Sequence, residues 1–261
     1  MTPFIMKLYS IIFLLFTISS CNSQTNKKES TRLSNESKLL LQDNKIDEAE
    51  KVIEKSIQLD PTNYAAYNNR AFVKMRQNKP KEEVIADYRK ALQQKPNYEI
   101  SLYSLANYYF EIKDYDNTIK NADIYLDYSQ KENFDIKLKQ HIYGISGESK
   151  YMTGEFDNAI IDIKKSLEID SLNAESHKLL GDCYLYKKNF TNAIIELSTA
   201  LRLKNVYYQA YLARAKCYES LQNQKSIELA ELDYKKAFEI NPMAEDIYET
   251  NSELFKKLKP N

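Results

Sequence analysis

The chain has 261 residues, 43% of them hydrophobic and 28% charged, which suits one large domain or two small ones with a core of their own. Lysine plus arginine equals aspartate plus glutamate, 37 against 37, so the chain lacks the basic excess by which nucleic-acid binders displace counterions from phosphates. Four glycines and six prolines poorly supply tight turns and many strands, whereas abundant Leu, Ile, Ala, Glu, Lys and Gln favour helix.

The N-terminal segment reads as an address. Lys7 precedes an apolar run from Leu8 to Ile18, and Ser19, Ser20 and Cys21 follow. One cation, a short apolar core and small residues before a cleavage point describe a secretory signal peptide, here residues 1–20. The run is shorter than the roughly 20 apolar residues that a membrane span needs. Met6 is an alternative start to Met1. Ile18-Ser19-Ser20-Cys21 resembles the lipobox of bacterial lipoproteins. That resemblance implies cleavage before Cys21 and its lipidation, and two or more acyl chains give stable anchoring. The rival reading is an ordinary signal peptide with an incidental cysteine. Residues 21–30 are polar and predict a flexible tether.

From residue 31 to 242 the chain repeats itself. Small residues recur at Ala71, Ala106, Gly147, Gly181 and Ala215, spaced 35, 41, 34 and 34. A second series, Ser56, Ala91, Ser166, Ala200 and Ala237, keeps the same frame, with Tyr125 in its third place. Tyr115-Asp116-Asn117, Phe156-Asp157-Asn158 and Phe190-Thr191-Asn192 mark turns, and Pro61, Pro96 and Pro242 close three units. The units run 30–63, 64–98, 99–132, 140–173, 174–207 and 208–242. In the fifth, Leu180, Tyr184, Ala193, Ile194, Leu197, Ala200 and Leu201 recur at helical steps. The small residues fall where paired helices approach closely. This pattern resembles the tetratricopeptide repeat, a helix-turn-helix unit. The resemblance implies an all-α, right-handed superhelical solenoid of antiparallel helix pairs, about six units and a C-terminal capping helix. One pair buries too little alone, so neighbours must stack.

Two irregularities carry structural expectations. Seven extra residues separate units three and four, and an Asn133 cap would let them lengthen the first helix of unit four. Three extra residues near Gln222 to Ile227 predict a longer turn in unit six. In the degenerate first unit Leu33 and Ser37 replace the usual aromatic and small residues. Residues 243–261 supply Ile247, Leu254, Phe255 and Leu258 on one stripe, the apolar face of a capping helix and tail. Its Lys256, Lys257 and Lys259 suit a helix C-terminus.

Nothing in the sequence assembles catalytic chemistry. His141 and His177 lie in different units without metal-ligand spacing, and there is no phosphate loop or nucleophile elbow. Packing accounts for His177, and Asp157 and Asp162 read as solvated helix-surface carboxylates. No enzyme activity, cofactor or metal is expected. Cys183 and Cys217 occupy equivalent places in consecutive units. Stacked helices hold such places about 8–10 Å apart, beyond the roughly 7 Å a disulfide tolerates, which predicts free, buried thiols.

Function is expected on the concave surface, which the resemblance assigns to the first helix of each unit. Counting along those helices places Asn68, Phe72, Met75, Arg76, Tyr103, Asn107, Phe110, Glu111, Glu148, Tyr151, Lys178, Asp182 and Tyr186 inward. Of these, Asn68, Phe72, Arg76, Tyr103, Asn107, Phe110, Tyr151, Lys178 and Tyr186 are the candidate partner-binding residues. Aromatic rings beside amides and charges suit capture of a protein segment; alternatively, several of the tyrosines merely cover seams between repeats. Some members of the repeat family clamp C-terminal carboxylates, but Ile100 and Ser104 stand where the cations should be. The expected function is a protein-binding adaptor lipid-anchored at Cys21 in the bacterial envelope, on the outer membrane. The chain looks like repeat lipoproteins serving outer-membrane assembly, secretin piloting or protease recruitment. A glycan- or small-ligand-binding lipoprotein using the tyrosine-rich groove is the alternative.

Overall fold

The computed structural model describes residues 3–243 and Leu254, with side chains from Asn22 onward. Among the described residues every regular element is a helix, and contacts divide the chain into two compact units, Met1–Leu105 and Ala106–Asn261. The first holds α1 (Pro3–Gln42), α2 (Ile46–Leu59), α3 (Tyr64–Arg76), α4 (Lys81–Gln94) and the start of α5 (Glu99–Glu111). The second holds the rest of α5, then α6 (Tyr115–Lys131), α7 (Ile136–Met152), α8 (Phe156–Ile169), α9 (Ala174–Tyr186), α10 (Phe190–Leu203), α11 (Tyr208–Ser220) and α12 (Gln224–Ile240). The helices follow one another as pairs, α1/α2, α3/α4, α5/α6, α7/α8, α9/α10 and α11/α12, with α1 starting well before residue 30 and α7 at Ile136, ahead of residue 140.

Each turn inside a pair is closed by a residue in the left-handed region, which lets the chain reverse in a few residues. These are Asn44, Asn78, Lys113, Gly154, Lys188 and Gln222, at φ between 53° and 83°. Side-chain caps open six of the helices, α3, α6, α7, α9, α10 and α12, by accepting otherwise unpaired amides. Asn63 accepts from Ala65 and Ala66, Asp114 from Asn117, Asn173 from Ser176 and Asn189 from Asn192.

The insertions lie in helices, not in loops. α6 has 17 residues where α2, α4, α8 and α10 have 14, and α7 has 17 where α3, α5, α9 and α11 have 13. The seven extra residues are thus shared between two helices, and the cap of α7 is Asp135 in place of the expected Asn133. Asp135 accepts from Lys137 N at 2.7 Å and Leu138 N at 3.2 Å. The added segment also supplies Phe134, whose ring packs 5.1 Å from that of fully buried Tyr125. A large residue in a small residue's place has acquired its own partner. In unit six the predicted longer turn is instead one more turn of helix. α12 has 17 residues and begins at a capping box in which Asn223 and Ser226 satisfy each other's amides.

Residues 22–30 belong to α1, with every side chain from Asn22 to Lys28 exposed. Packing begins at Ser30, which is buried and bonded to Ser56 (2.8 Å) and Asn63 (2.8 Å). Leu33 and Ser37 are buried beneath the next helices, as a degenerate repeat still requires.

Close approach of the paired helices shapes the second unit. A Cβ placed on Gly181 would stand 2.6 Å from Leu197 Cγ, and one on Gly147 2.7 Å from Ile163 Cγ1. Both neighbours are essentially fully buried, so neither can swing aside. Leu254 packs on the cluster of Leu212, Ala215 and Tyr234 at the end of α11/α12. The rest of the expected capping stripe, Ile247, Phe255 and Leu258, lies outside the described residues.

Candidate functional site

In the first compact unit, side chains of α1, α3 and the α4–α5 corner enclose a groove of 350 Å³. Asn68, Asn69 and Phe72 line it with Lys38, Leu41, Tyr88, Tyr98 and Ile100. Asn68 accepts from Ser101 Oγ at 2.9 Å, and Asn69 donates to Ser34 O (3.0 Å) and Ser37 Oγ (2.9 Å). These amides hold their own helices together, which limits the peptide-bonding role expected of Asn68. Arg76 is exposed and donates to Asn44 Oδ1 at 2.6 Å, away from the groove lining. Tyr103 is half-buried and lines none of the grooves described here.

The second compact unit has two grooves. One, of 400 Å³, runs between α7 and α9 and is lined by Phe110, His141, Ile145, Glu148, Glu175, Lys178 and Tyr207. Burial holds the Glu148 carboxyl above the usual carboxylate range and pushes the Tyr207 hydroxyl up to about 12. Glu175 is held below that range by Lys204, 2.8 Å away. Burial also lowers His141 below the ordinary imidazole value, so this histidine is a neutral wall at pH 7.

The other groove, of 540 Å³, lies between α9 and α11. Leu185, Leu212 and Ala213 contribute apolar surface, and Lys178, Asp182, Lys188 and Lys216 line it as well. Tyr186 forms a wall, 61% exposed, stacked on Phe156 at 4.9 Å and meeting Tyr151 edge-on at 5.7 Å. Asp182 is buried and pairs with Lys178 at 2.6 Å. Burial nevertheless dominates and holds its carboxyl above the usual range.

Tyr151, Lys178 and Tyr186 thus come together, Phe110 lines the adjoining groove, and Asn107 instead donates to Glu111 at 2.6 Å. Sequence reasoning missed Leu212, Lys216 and Ser220. They stand 34 residues beyond Lys178, Asp182 and Tyr186, so counting one unit further along the repeat finds them. Asp162 is corrected too. It is buried, not solvated, and accepts from Ser146 Oγ and Lys150 Nζ, each at 2.6 Å. His177 sits between Glu196 (2.7 Å) and Ser171 O (3.2 Å), tying α9 to its neighbours. Cys183 and Cys217 are free and buried, as expected. Among the described residues no cluster of histidine, cysteine or carboxylate side chains is disposed to hold a metal ion.

Outside the grooves, Ile161, Ile195 and Leu232 repeat at one surface place of α8, α10 and α12, 57%, 56% and 62% exposed. Among the described residues no helix is long and apolar enough to cross a membrane. Cys21 lies outside the residues whose side chains are described.

No curated protein matches the chain in sequence. Solved structures share its architecture at low identity. YrrB, "a TPR protein with an unusual peptide-binding site", is 17% identical and superposes with a TM-score of 0.65, covering 75% of this chain and 95% of that one. Pseudomonas aeruginosa pilF is 15% identical with a TM-score of 0.66, covering 90% and 100%. PilW, a "widely conserved type IV pilus biogenesis factor", is 16% identical with a TM-score of 0.60, covering 85% and 98%. At these identities the likeness establishes the fold. In sequence, residues 35–99 match the tetratricopeptide repeat family, and the chain has the all-α helical repeat fold of solved tetratricopeptide proteins.

Proposed function

We propose that the protein is a non-catalytic adaptor, lipid-anchored through Cys21 to the bacterial outer membrane, that holds segments of partner proteins in its inter-helix grooves. The observation that carries this reading is the 540 Å³ groove between α9 and α11, where an exposed aromatic wall borders apolar surface and charged side chains. Such a mixture supplies desolvated anchoring area together with polar selectivity. The fold it shares with YrrB, a TPR protein with an unusual peptide-binding site, and with a type IV pilus biogenesis factor is consistent with that role. The anchor rests on Ile18-Ser19-Ser20-Cys21 alone.

Two measurements test the two halves separately. Cys21→Ser should abolish metabolic labelling with a fatty acid and release the protein from membranes; unlabelled protein that stays membrane-bound refutes the anchor. A photo-crosslinking amino acid in place of Tyr186, or of Gln209, which lines the same groove from α11, should capture a defined protein from intact cells. Retention of a glycan with no protein adduct would replace the adaptor by a glycan-binding lipoprotein.

A further inference from the structure

The grooves differ in charge. The α9–α11 groove presents Lys178, Lys188 and Lys216 against one carboxylate, Asp182, whose nearest cation is Lys178 at 2.6 Å. Among the described residues neither Lys188 nor Lys216 makes an ion pair at contact distance, and Lys216 acts on Asp182 only through its longer-range attraction, behind that of Lys178. Leu185, Leu212 and Ala213 line the same groove as the lysines, and Tyr186 is its exposed aromatic side chain. The α7–α9 groove is the reverse case, with Glu148 and Glu175 against the shared Lys178. The groove of the first unit carries a single lysine, Lys38.

Unpaired ammonium groups beside apolar surface are complementary to carboxylates that flank a large apolar side chain. The exposed lysines contribute long-range attraction and choice of partner, whereas desolvation of the apolar side chain contributes most of the affinity. We propose, on the adaptor reading above, that the α9–α11 groove takes an acidic protein segment with a leucine or phenylalanine between its carboxylates. The carboxylates meet Lys188 and Lys216, and the apolar side chain lies on Leu185 and Leu212 beside Tyr186. Lys178 is excluded from this role because Asp182 already holds it. A nucleic acid would use the same cations, but the chain as a whole offers no basic field to draw one in.

The test uses the detergent-solubilised full chain and fluorescence anisotropy with four labelled probes. These are a twelve-residue peptide with glutamates and aspartates around a Leu-Phe pair, its glutamine and lysine counterparts, and an oligothymidine. The acidic peptide should bind about tenfold or more tighter than its glutamine counterpart at 50 mM salt. Most of that margin should vanish at 500 mM, where charges are screened beyond about 4 Å. Lys216→Gln combined with Lys188→Asn should weaken it about fivefold or more, and asparagine tolerates the left-handed turn at 188. Asp182→Asn, which removes the one carboxylate of the lining, should tighten it. Circular dichroism checks that each variant is helical.

Equal binding of the acidic and glutamine peptides overturns the inference, as does tighter binding of the lysine peptide or the oligothymidine. So does indifference to the double lysine variant, or no binding of the acidic probe at 100 µM. Peptides that bind irrespective of charge but are lost in Tyr186→Ala would leave the adaptor reading standing while removing its acidic partner. Capture at position 186 or 209 in cells tests that broader reading independently.

Discussion

Arg214 donates from Nε and Nη2 to both carboxylate oxygens of Asp233, at 2.7 and 2.8 Å, joining the two helices of the last repeat. Arg70 meets Asp87 in the same fork, at 2.9 and 2.7 Å. Both acids stand four residues before the small residue of their second helix, Ala237 and Ala91. Asp162 and Glu196 fill that place in their own units and accept from Lys150 and His177. An acid at this place on the second helix, buried at Asp87, Asp162 and Asp233 and half-buried at Glu196, is therefore a recurring fastener of the pairs, satisfied by a donor from the first helix.

The surroundings of the two forks differ, which sets up the first prediction. Arg70 keeps Glu54 at 3.1 Å if Asp87 is removed, and Lys74 keeps Glu83 at 3.5 Å. Arg214 keeps only Ser198 Oγ at 2.9 Å among its hydrogen-bond partners, with the faces of Tyr211 and Tyr218 nearby. Breaking a buried pair strands a charge and costs about 3–5 kcal/mol. Asp233→Ala should fall in that range and Asp87→Ala clearly below it. Arg214→Met with Asp233→Leu should recover most of the loss. Urea denaturation followed by circular dichroism measures all three, and equal losses for the two alanines would contradict the assignment.

The glycines give a prediction of opposite signs. Alanine is favoured over glycine in a helix by about 1 kcal/mol, while overpacking a filled core costs about 1–3 kcal/mol. At Gly181 the new Cβ would meet Leu197 Cγ at 2.6 Å, so packing dominates and Gly181→Ala should destabilise; Gly181→Leu should do so more strongly. At Gly144 the nearest atom is Ser166 Oγ at 3.7 Å, an ordinary contact, so Gly144→Ala should stabilise by about 0.5–1 kcal/mol. Thermal melts of the three variants decide it.

Much of this was legible from spacing alone, because each repeat must present a small residue where helices touch. Ala71, Gly181, Ala215 and their equivalents mark the register of the five pairs after the first. Where the insertions went was not legible. Three or four extra residues extend a helix as readily as a loop, and Asn133 and Asp135 are both good caps. Nor did Lys113, Lys188 and Gln222 announce left-handed turns, since that conformation is imposed by the pair on residues with no preference for it. Of the candidate residues, Asn68, Phe72, Phe110, Tyr151, Lys178 and Tyr186 line grooves, but their exposure and bonding could not be read from the sequence. Asn68, buried and bonded to Ser101, looks in sequence like Tyr186, which stands in solvent.

The two thiols predict a chemical behaviour. Burial pushes both Cys183 and Cys217 up to about 12, so almost no thiolate forms near neutral pH. Native protein at pH 8 should leave both unalkylated by iodoacetamide over minutes, and both should react fully in denaturant. Mass spectrometry of their peptides reads each site separately. Rapid native alkylation, or a peptide linked through both, would contradict the packing described.

Asp182 predicts a pH dependence. Its folded pKa is raised above 3.8, chiefly by burial and against the pull of Lys178. The stability linked to its protonated form is complete below 3.8 and is lost as pH rises through the folded pKa. Asparagine mimics the protonated form and still accepts from Lys178. Asp182→Asn should therefore melt higher than wild type at pH 7, and the difference should close below pH 3.8. A difference that widens towards acid would mean that the pairing with Lys178 outweighs burial.

The last prediction separates the groove from the only other repeating apolar surface described here. Tyr186 is 61% exposed, and its ring stacks on Phe156 and meets Tyr151, so the free protein gains about 1 kcal/mol from it. An aromatic anchor at a binding surface is worth about 2 kcal/mol or more when a partner covers it, roughly thirtyfold in affinity. Tyr186→Ala should therefore cost binding much more than stability. Phe72→Ala probes the groove of the first unit in the same way, and Tyr103→Ala, outside the groove linings, should leave binding unchanged. Ile161, Ile195 and Leu232 are as exposed as Tyr186 but line none of the grooves described. Ile195→Lys should change stability by no more than about 0.5 kcal/mol, as surface substitutions do, and leave partner capture intact. The converse result, with Ile195→Lys abolishing capture and Tyr186→Ala sparing it, would move the partner from the first helices of the repeats to the second.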